Sequence, residues 1–187
     1  MSAEQEELEW KTRRERIDPK LQASGWKIVS FDAHENIANL SRHAITEFPT
    51  DNGPADYALC LQGSIVGIIE AKKLSLGPQN VLTQAERYAR GLPSGAFNFN
   101  GLRAPFLYST NGEIIWFNDV RYQASRSRQV ADFQTPAALR EMLARDFDTE
   151  FAGLQLIPNN HGYLRPYQRE ANVAIETAIA RKADQTA

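Results

Sequence analysis

The sequence predicts an α/β domain with a central mixed β-sheet flanked by helices, and three features predict it. Two hairpins of apolar, β-branched and aromatic strands occupy residues 55–72 and 105–117. Between them, residues 78–92 carry Val81, Ala85, Tyr88 and Leu92 at helical spacing. Segments of helical character stand at both ends of the chain, so helices and strands alternate as a layered core requires.

Taken in order, residues 4–17 lack Gly and Pro, and Trp10, Ile17 and Leu21 fall on one helical stripe. Pro19 predicts a kink, with Asp18 capping a short continuation, and Gly25 a stop. Residues 26–31 alternate as a strand does, and residues 32–42 are polar and unassigned. A strand over 44–48 is halted by Pro49 and the turn-rich residues 50–54. Strands at 55–61 and 65–72 follow, joined at Gln62-Gly63-Ser64. Gly77-Pro78 opens the next helix, and Gly91 with Pro93 closes it. After a Gly/Asn-rich loop, strands at 105–110 and 113–117 meet across Asn111-Gly112, the strongest hairpin signal in the chain. Residues 118–133 read as irregular. Thr135 caps a helix running to about residue 146, with Pro136 at its first position. A linker around residues 158–162 precedes a last helix over 165–182.

Composition narrows the function classes. At 187 residues with 42% hydrophobic content, the chain can bury a core without a disulfide or a structural metal. Cys60 is alone in an apolar strand and reads as a core residue. No apolar run reaches membrane-span length, and the acidic N-terminus is unlike a secretion signal. A soluble cytoplasmic protein is expected. A net charge of −2 excludes a polycationic DNA binder, so nucleic-acid contact would fall to local clusters. These are Lys11, Arg13, Arg14, Arg16 and Lys20; Arg121, Arg126 and Arg128; and Arg165 with Arg169. His34, His43 and His161 lack zinc-like spacing and read as surface or loop residues.

The chemistry-bearing residues are Asp56, at the start of one strand, and Glu70-Ala71-Lys72, at the end of the next. Residues two apart on a strand share a face, so Glu70 and Lys72 point together while Ala71 points away. Two carboxylates and the Ala71 carbonyl suit Mg²⁺, which takes oxygen ligands and keeps several waters. A Mg²⁺ ion can activate water and neutralise charge in phosphodiester hydrolysis, with Lys72 orienting the water or countering phosphate charge. In isolation, because acid-x-lysine triplets are very common, the same residues read first as charges capping strand ends.

Gly53-Pro54-Ala55-Asp56-Tyr57, Ile69-Glu70-Ala71-Lys72-Lys73 and Gln84-Ala85-Glu86-Arg87-Tyr88 together resemble the PD-(D/E)xK nuclease pattern followed by a QxxxY motif. More narrowly, they are similar to the N-terminal nuclease domain of the R subunit of type I restriction–modification enzymes. Two further stretches carry that narrower resemblance: Ile17-Asp18-Pro19-Lys20-Leu21 with Gly25-Trp26, and Leu164-Arg165-Pro166-Tyr167-Gln168-Arg169-Glu170-Ala171. The stretch from Leu164 to Ala171 resembles the entrance to a superfamily 2 helicase motor.

The resemblance implies a restriction-endonuclease-like core over residues 1–157, and over 158–187 a linker with the first helix of a truncated motor. It implies catalytic roles for Asp56, Glu70 and Lys72, and a cation held by Asp56, Glu70 and the Ala71 carbonyl. An acid of the first helix would complete the site: Glu9 by its offset from Pro19, with Glu7 and Glu6 as alternatives. Gln84 and Tyr88, neighbours on one helix face, would support DNA handling, although Tyr88 also falls on the apolar stripe. Gln168 would read adenine in an intact motor, but no phosphate-binding G-x-x-x-x-G-K-[ST] loop occurs, so no ATPase is expected of this chain. The implied cofactor is Mg²⁺, with Mn²⁺ substituting, and ATP serves only the missing motor. The implied partners are double-stranded DNA, the motor in cis, and the methylation and specificity subunits, in a prokaryotic cytoplasm. The function implied is non-specific DNA cleavage after ATP-driven translocation. Alternatives are a stand-alone restriction-like or junction-resolving nuclease, and a catalytically idle docking module.

Overall fold

A computed structural model describes residues 11–71, 82–122, 125–145, 153 and 161–184. The chain divides into two compact units, residues 1–139 and 140–187. The first holds a seven-stranded sheet whose spatial order follows the sequence: β1 (Lys27–Ser30), β2 (Arg42–Phe48), β3 (Ala55–Leu61), β4 (Ser64–Ala71), β5 (Phe106–Thr110), β6 (Ile115–Asp119) and β7 (Arg128–Val130). Pairs β1/β2 and β4/β5 are parallel and the other four are antiparallel, so the sheet is mixed, as expected.

The turns account for this order. Gln62 and Gly63 both have positive φ, at 50° and 80°, which is the conformation that joins two twisted strands in two residues. Between β5 and β6, Asn111 Oδ1 accepts from the N–H groups of Glu113 and Ile114, and Gly112 takes φ 85°. Parallel pairing of β4 with β5 needs a crossover. Helix α2 (Thr83–Arg90) lies within it and ends at Gly91, whose N–H reaches the carbonyls of Arg87 and Tyr88.

Each face of the sheet has its own core. On one face, Ala58, Cys60, Ile68 and Leu107 pack with Leu82, Ala85, Ala89 and Leu92 of α2 and its flanks. Cys60 is a core residue as expected: it is fully buried, burial pushes its thiol up to about 11, and Sγ lies 3.5 Å from the Leu40 carbonyl. On the other face Phe106, Tyr108, Phe117 and Phe133 form an aromatic cluster, with Tyr108 and Phe117 centroids 5.0 Å apart.

The first helical segment departs from the expectation in two ways. Arg13–Ile17 is π-helical, with the Asp18 N–H bonded to the Arg13 carbonyl, and it runs straight into α1 (Asp18–Ala23). Pro19 therefore sits in the first turn of α1, where its missing N–H is harmless. Asp18 does not cap the helix through its side chain. Its Oδ1 instead accepts the Tyr57 hydroxyl at 2.7 Å, tying α1 to β3. Gly25 ends α1 at φ 89°, as expected.

Residues 118–133, read as irregular, contain β7, and the unassigned residues 32–42 contain a short 3₁₀ turn at Ile37–Asn39. Thr135 caps α3 (Pro136–Ala144) as expected, its Oγ1 accepting from the Ala138 N–H at 3.1 Å. In the second unit, α4 (Pro166–Asp184) exposes Tyr167 and Ile175. No described helix is long and apolar enough to cross a membrane.

Candidate functional site

Asp56 and Glu70 meet across the β3/β4 hairpin. The antiparallel register runs Ala58↔Ile68 and Tyr57↔Ile69, and one further step sets Asp56 opposite Glu70. Both lie on the α2 face, two residues beyond Ala58 and Ile68 of its core. The two carboxyl groups share a hydrogen bond, and Asp56 Oδ2 accepts the Ala71 N–H at 2.8 Å. Glu70 is buried at 4% exposure. Burial raises the Asp56 carboxyl above its ordinary value; the Ala71 N–H and the Arg13 charge oppose that rise.

A third acid stands in the same row. β2 pairs with β3 as Thr46↔Tyr57 and Phe48↔Ala55, so Glu47 lies beside Asp56. Glu47 has φ 53°, a left-handed conformation rare for a residue with a long side chain. Arg13 Nη1 donates to Asp56 Oδ1 at 3.0 Å and also to Glu47. Burial works against the guanidinium charge, yet these two acids hold it above its ordinary value.

Arg13 therefore leaves the basic surface cluster read from the sequence: its side chain is 18% exposed and faces acids. Arg121 leaves its cluster as well. It grips the buried Asp119 through Nε (2.9 Å) and Nη2 (2.7 Å), and it stacks 5.3 Å from the Phe106 ring centroid.

Gln84 and Tyr88 are on the site side of α2, with Gln84 Nε2 donating to the Tyr88 hydroxyl at 2.8 Å. Burial, then the charges of Glu70 and Asp56, raise the Tyr88 phenol, while the Gln84 bond opposes them. A clamp explains the placement. Asn52 Nδ2 donates to the Arg87 carbonyl, Arg87 Nη2 donates to the Asn52 carbonyl, and the Asp51 N–H reaches the Gly91 carbonyl. This fastens the turn before Asp56 to the end of α2. A Cβ on Gly91 would stand 2.9 Å from the Asn52 nitrogen, so glycine is what lets the two backbones close.

Glu9, with Glu6 and Glu7, and Lys72 lie outside the described residues. Gln168 is exposed in the second unit, where its Oε1 accepts the Arg165 N–H at 3.0 Å. Among the described residues no group of three or more His, Cys, Asp and Glu side chains is arranged to hold a metal ion. Of these residues Asp56 and Glu70 meet directly, while Arg13 bridges Asp56 to Glu47. The donor chemistry of Asp56 and Glu70 fits Mg²⁺: hard carboxylate oxygens, set where a cation's charge would offset the effect of burial.

A mixed-sheet α/β domain with a carboxylate pair at the open end of its central hairpin defines a class, and comparison with known proteins gives the class a family. The family model for the second domain of the type I restriction enzyme EcoKI endonuclease subunit matches residues 31–143, more than half of the chain. The chain belongs to that family. Among individual proteins, it is 25% identical over 217 aligned positions to the EcoKI endonuclease subunit of Escherichia coli (strain K12). That alignment covers 88% of this chain and 18% of the relative, so the chain spans under a fifth of that protein's length. A fragment assigned to an HsdR subunit of a type I restriction enzyme from Vibrio vulnificus YJ016 is similar at a TM-score of 0.45 and 21% identity, covering 94% of this chain and 32% of that one.

Proposed function

We propose that this chain is the Mg²⁺-dependent DNA endonuclease domain of its type I restriction subunit, and that it cuts without sequence preference after ATP-driven translocation by a motor outside residues 1–187. The observation that carries this reading is the meeting of Asp56 and Glu70 across β3/β4, with Asp56 fastened by the Ala71 N–H. Asp56, Glu70 and the Ala71 carbonyl would hold the cation. When bound, the cation supplies a water of lowered pKa and positive charge against the phosphate.

The chain's own residues account for the rest. The Ala71 N–H holds Asp56 Oδ2 and Arg13 holds Oδ1, so the carboxylate is fixed in orientation and a cation would share Oδ1 with Arg13. Arg13 opposes the effect of burial on the Asp56 carboxyl. Gln84 and Tyr88 present an amide and a phenol beside the acids, groups suited to a sugar–phosphate strand. Lys72 is proposed to orient the attacking water, and Glu9 to complete the acid set. Double-stranded DNA and the methylation and specificity subunits are the proposed partners.

Titration of the chain with Mn²⁺ tests the reading. Binding is expected in the unsubstituted chain and is expected to vanish in Asp56→Ala and in Glu70→Ala. Equal affinity in all three would overturn the site.

A further inference from the structure

Ser109 lies immediately beside Glu70 in the parallel register of β4 and β5. Ile68 and Leu107, one paired position earlier on that face, belong to the α2-face core, so Glu70 and Ser109 emerge on the same side. Ser109 is fully buried, and among the described residues its Oγ has no hydrogen-bond partner. Its neighbour behaves differently: Thr110 Oγ1 accepts from the Gly112 N–H and donates to the Ile114 carbonyl. An isolated buried hydroxyl weakens a fold, and alanine would fill a strand position among Phe106, Leu107 and Tyr108 without that loss. The packing of β5 therefore gives no reason for a hydroxyl at this position.

We propose that Ser109 is a positioning residue for Glu70: its Oγ–H donates to the Glu70 carboxylate when that carboxylate holds a divalent cation. A hydroxyl can turn its hydrogen toward whichever carboxylate oxygen it faces. The donated bond fixes which Glu70 oxygen faces the cation, the role that outer-shell partners play for carboxylate ligands. The inference rests on the reading of Asp56 and Glu70 as the cation site.

The experiment is a Mn²⁺ titration by calorimetry of the 187-residue chain, its S109A and S109T variants, and E70A, with metal-free thermal melts of each. S109A is expected to melt at or above the unsubstituted chain without metal, because it removes an unpartnered hydroxyl. Its Mn²⁺ affinity is expected to fall by about tenfold, and S109T is expected to recover most of that loss. S109A binding Mn²⁺ as tightly as the unsubstituted chain, with E70A binding none, would overturn the role of Ser109 and leave the site standing. A lowered metal-free melting temperature in S109A, with unchanged affinity in S109T and S109A alike, would show a structural residue and also overturn it. E70A binding as the unsubstituted chain does, or no binding by either, would overturn the site and the inference together.

Discussion

Asp56 accepts the backbone N–H of Ala71 at 2.8 Å, so the first acid of the hairpin is fastened to the residue that follows the second. The bond spans fifteen residues of chain and closes the open end of β3 and β4. Its acceptor is a carboxylate that burial disfavours.

That conflict has a pH signature. The Asp56 carboxyl is raised in the folded chain above its ordinary value of 3.8, so the fold binds the proton more tightly than the unfolded chain does. Its contribution to stability is then full below 3.8 and is lost as pH rises through the folded value. Asp56→Asn cannot titrate. The melting temperature of the unsubstituted chain, relative to Asp56→Asn, is expected to fall as pH rises from about 3 to about 7. A relative rise would show the carboxyl lowered instead. Millimolar Mg²⁺ at about pH 7 is expected to raise the melting temperature of the unsubstituted chain only.

Arg13 gives a second expectation. Its guanidinium opposes the effect of burial on Asp56. In Arg13→Ala, the Asp56 carboxyl followed by carbon-detected NMR is expected to titrate at higher pH than in the unsubstituted chain. No change, or a downward one, would mean that the ion pair is not formed in solution.

The Tyr57 hydroxyl donates to Asp18 at 2.7 Å and is a polar tie between α1 and β3. Tyr57→Phe keeps the ring and removes the tie. Stability measured by urea unfolding is expected to drop by about 1–2 kcal/mol, with Mn²⁺ affinity unchanged. A neutral result would mean that water replaces the tie at no loss.

Tyr88 reports on the acids directly, because Glu70 and Asp56 add to burial in raising its phenol. Ultraviolet titration, with Tyr88→Phe as the subtraction, is expected to place its ionisation above the ordinary tyrosine range. Glu70→Gln removes one of the charges and is expected to bring that ionisation down. An unmoved Tyr88 in Glu70→Gln would separate α2 from the site.

Much of the core was legible in local sequence. The β3/β4 hairpin follows from two apolar runs and from Gln62-Gly63 between them, and Thr135-Pro136 marks the start of α3. What escaped depends on distant partners. β7 is exposed and polar, Arg128-Gln129-Val130, and its strand character comes from pairing with β6. Arg13 and Arg121 look like surface cations in the sequence, and only the acids facing them show otherwise. Glu47 enters the acid row because residues 49–54 set the β2/β3 register, which no pattern within β2 reveals. Ser109 reads as an ordinary strand residue until its parallel partner is known to be Glu70.

The π-helical segment Arg13–Ile17 touches both hairpins. Arg13 reaches Asp56, while Arg16 bonds Glu113 at 2.6 Å and packs so tightly on Gly112 that any Cβ there would collide with it. The few residues from Arg13 to Arg16 thus gauge the separation between the acid row and the β5–β6 turn. Deleting one residue between them, and so restoring α-helical winding, would swing Arg13 away by about 100° while Arg16 kept its seat. Glu15, exposed between them with a 4.0 Å pairing to Lys11, is open to substitution. Length, more than composition, is what this stretch has to keep.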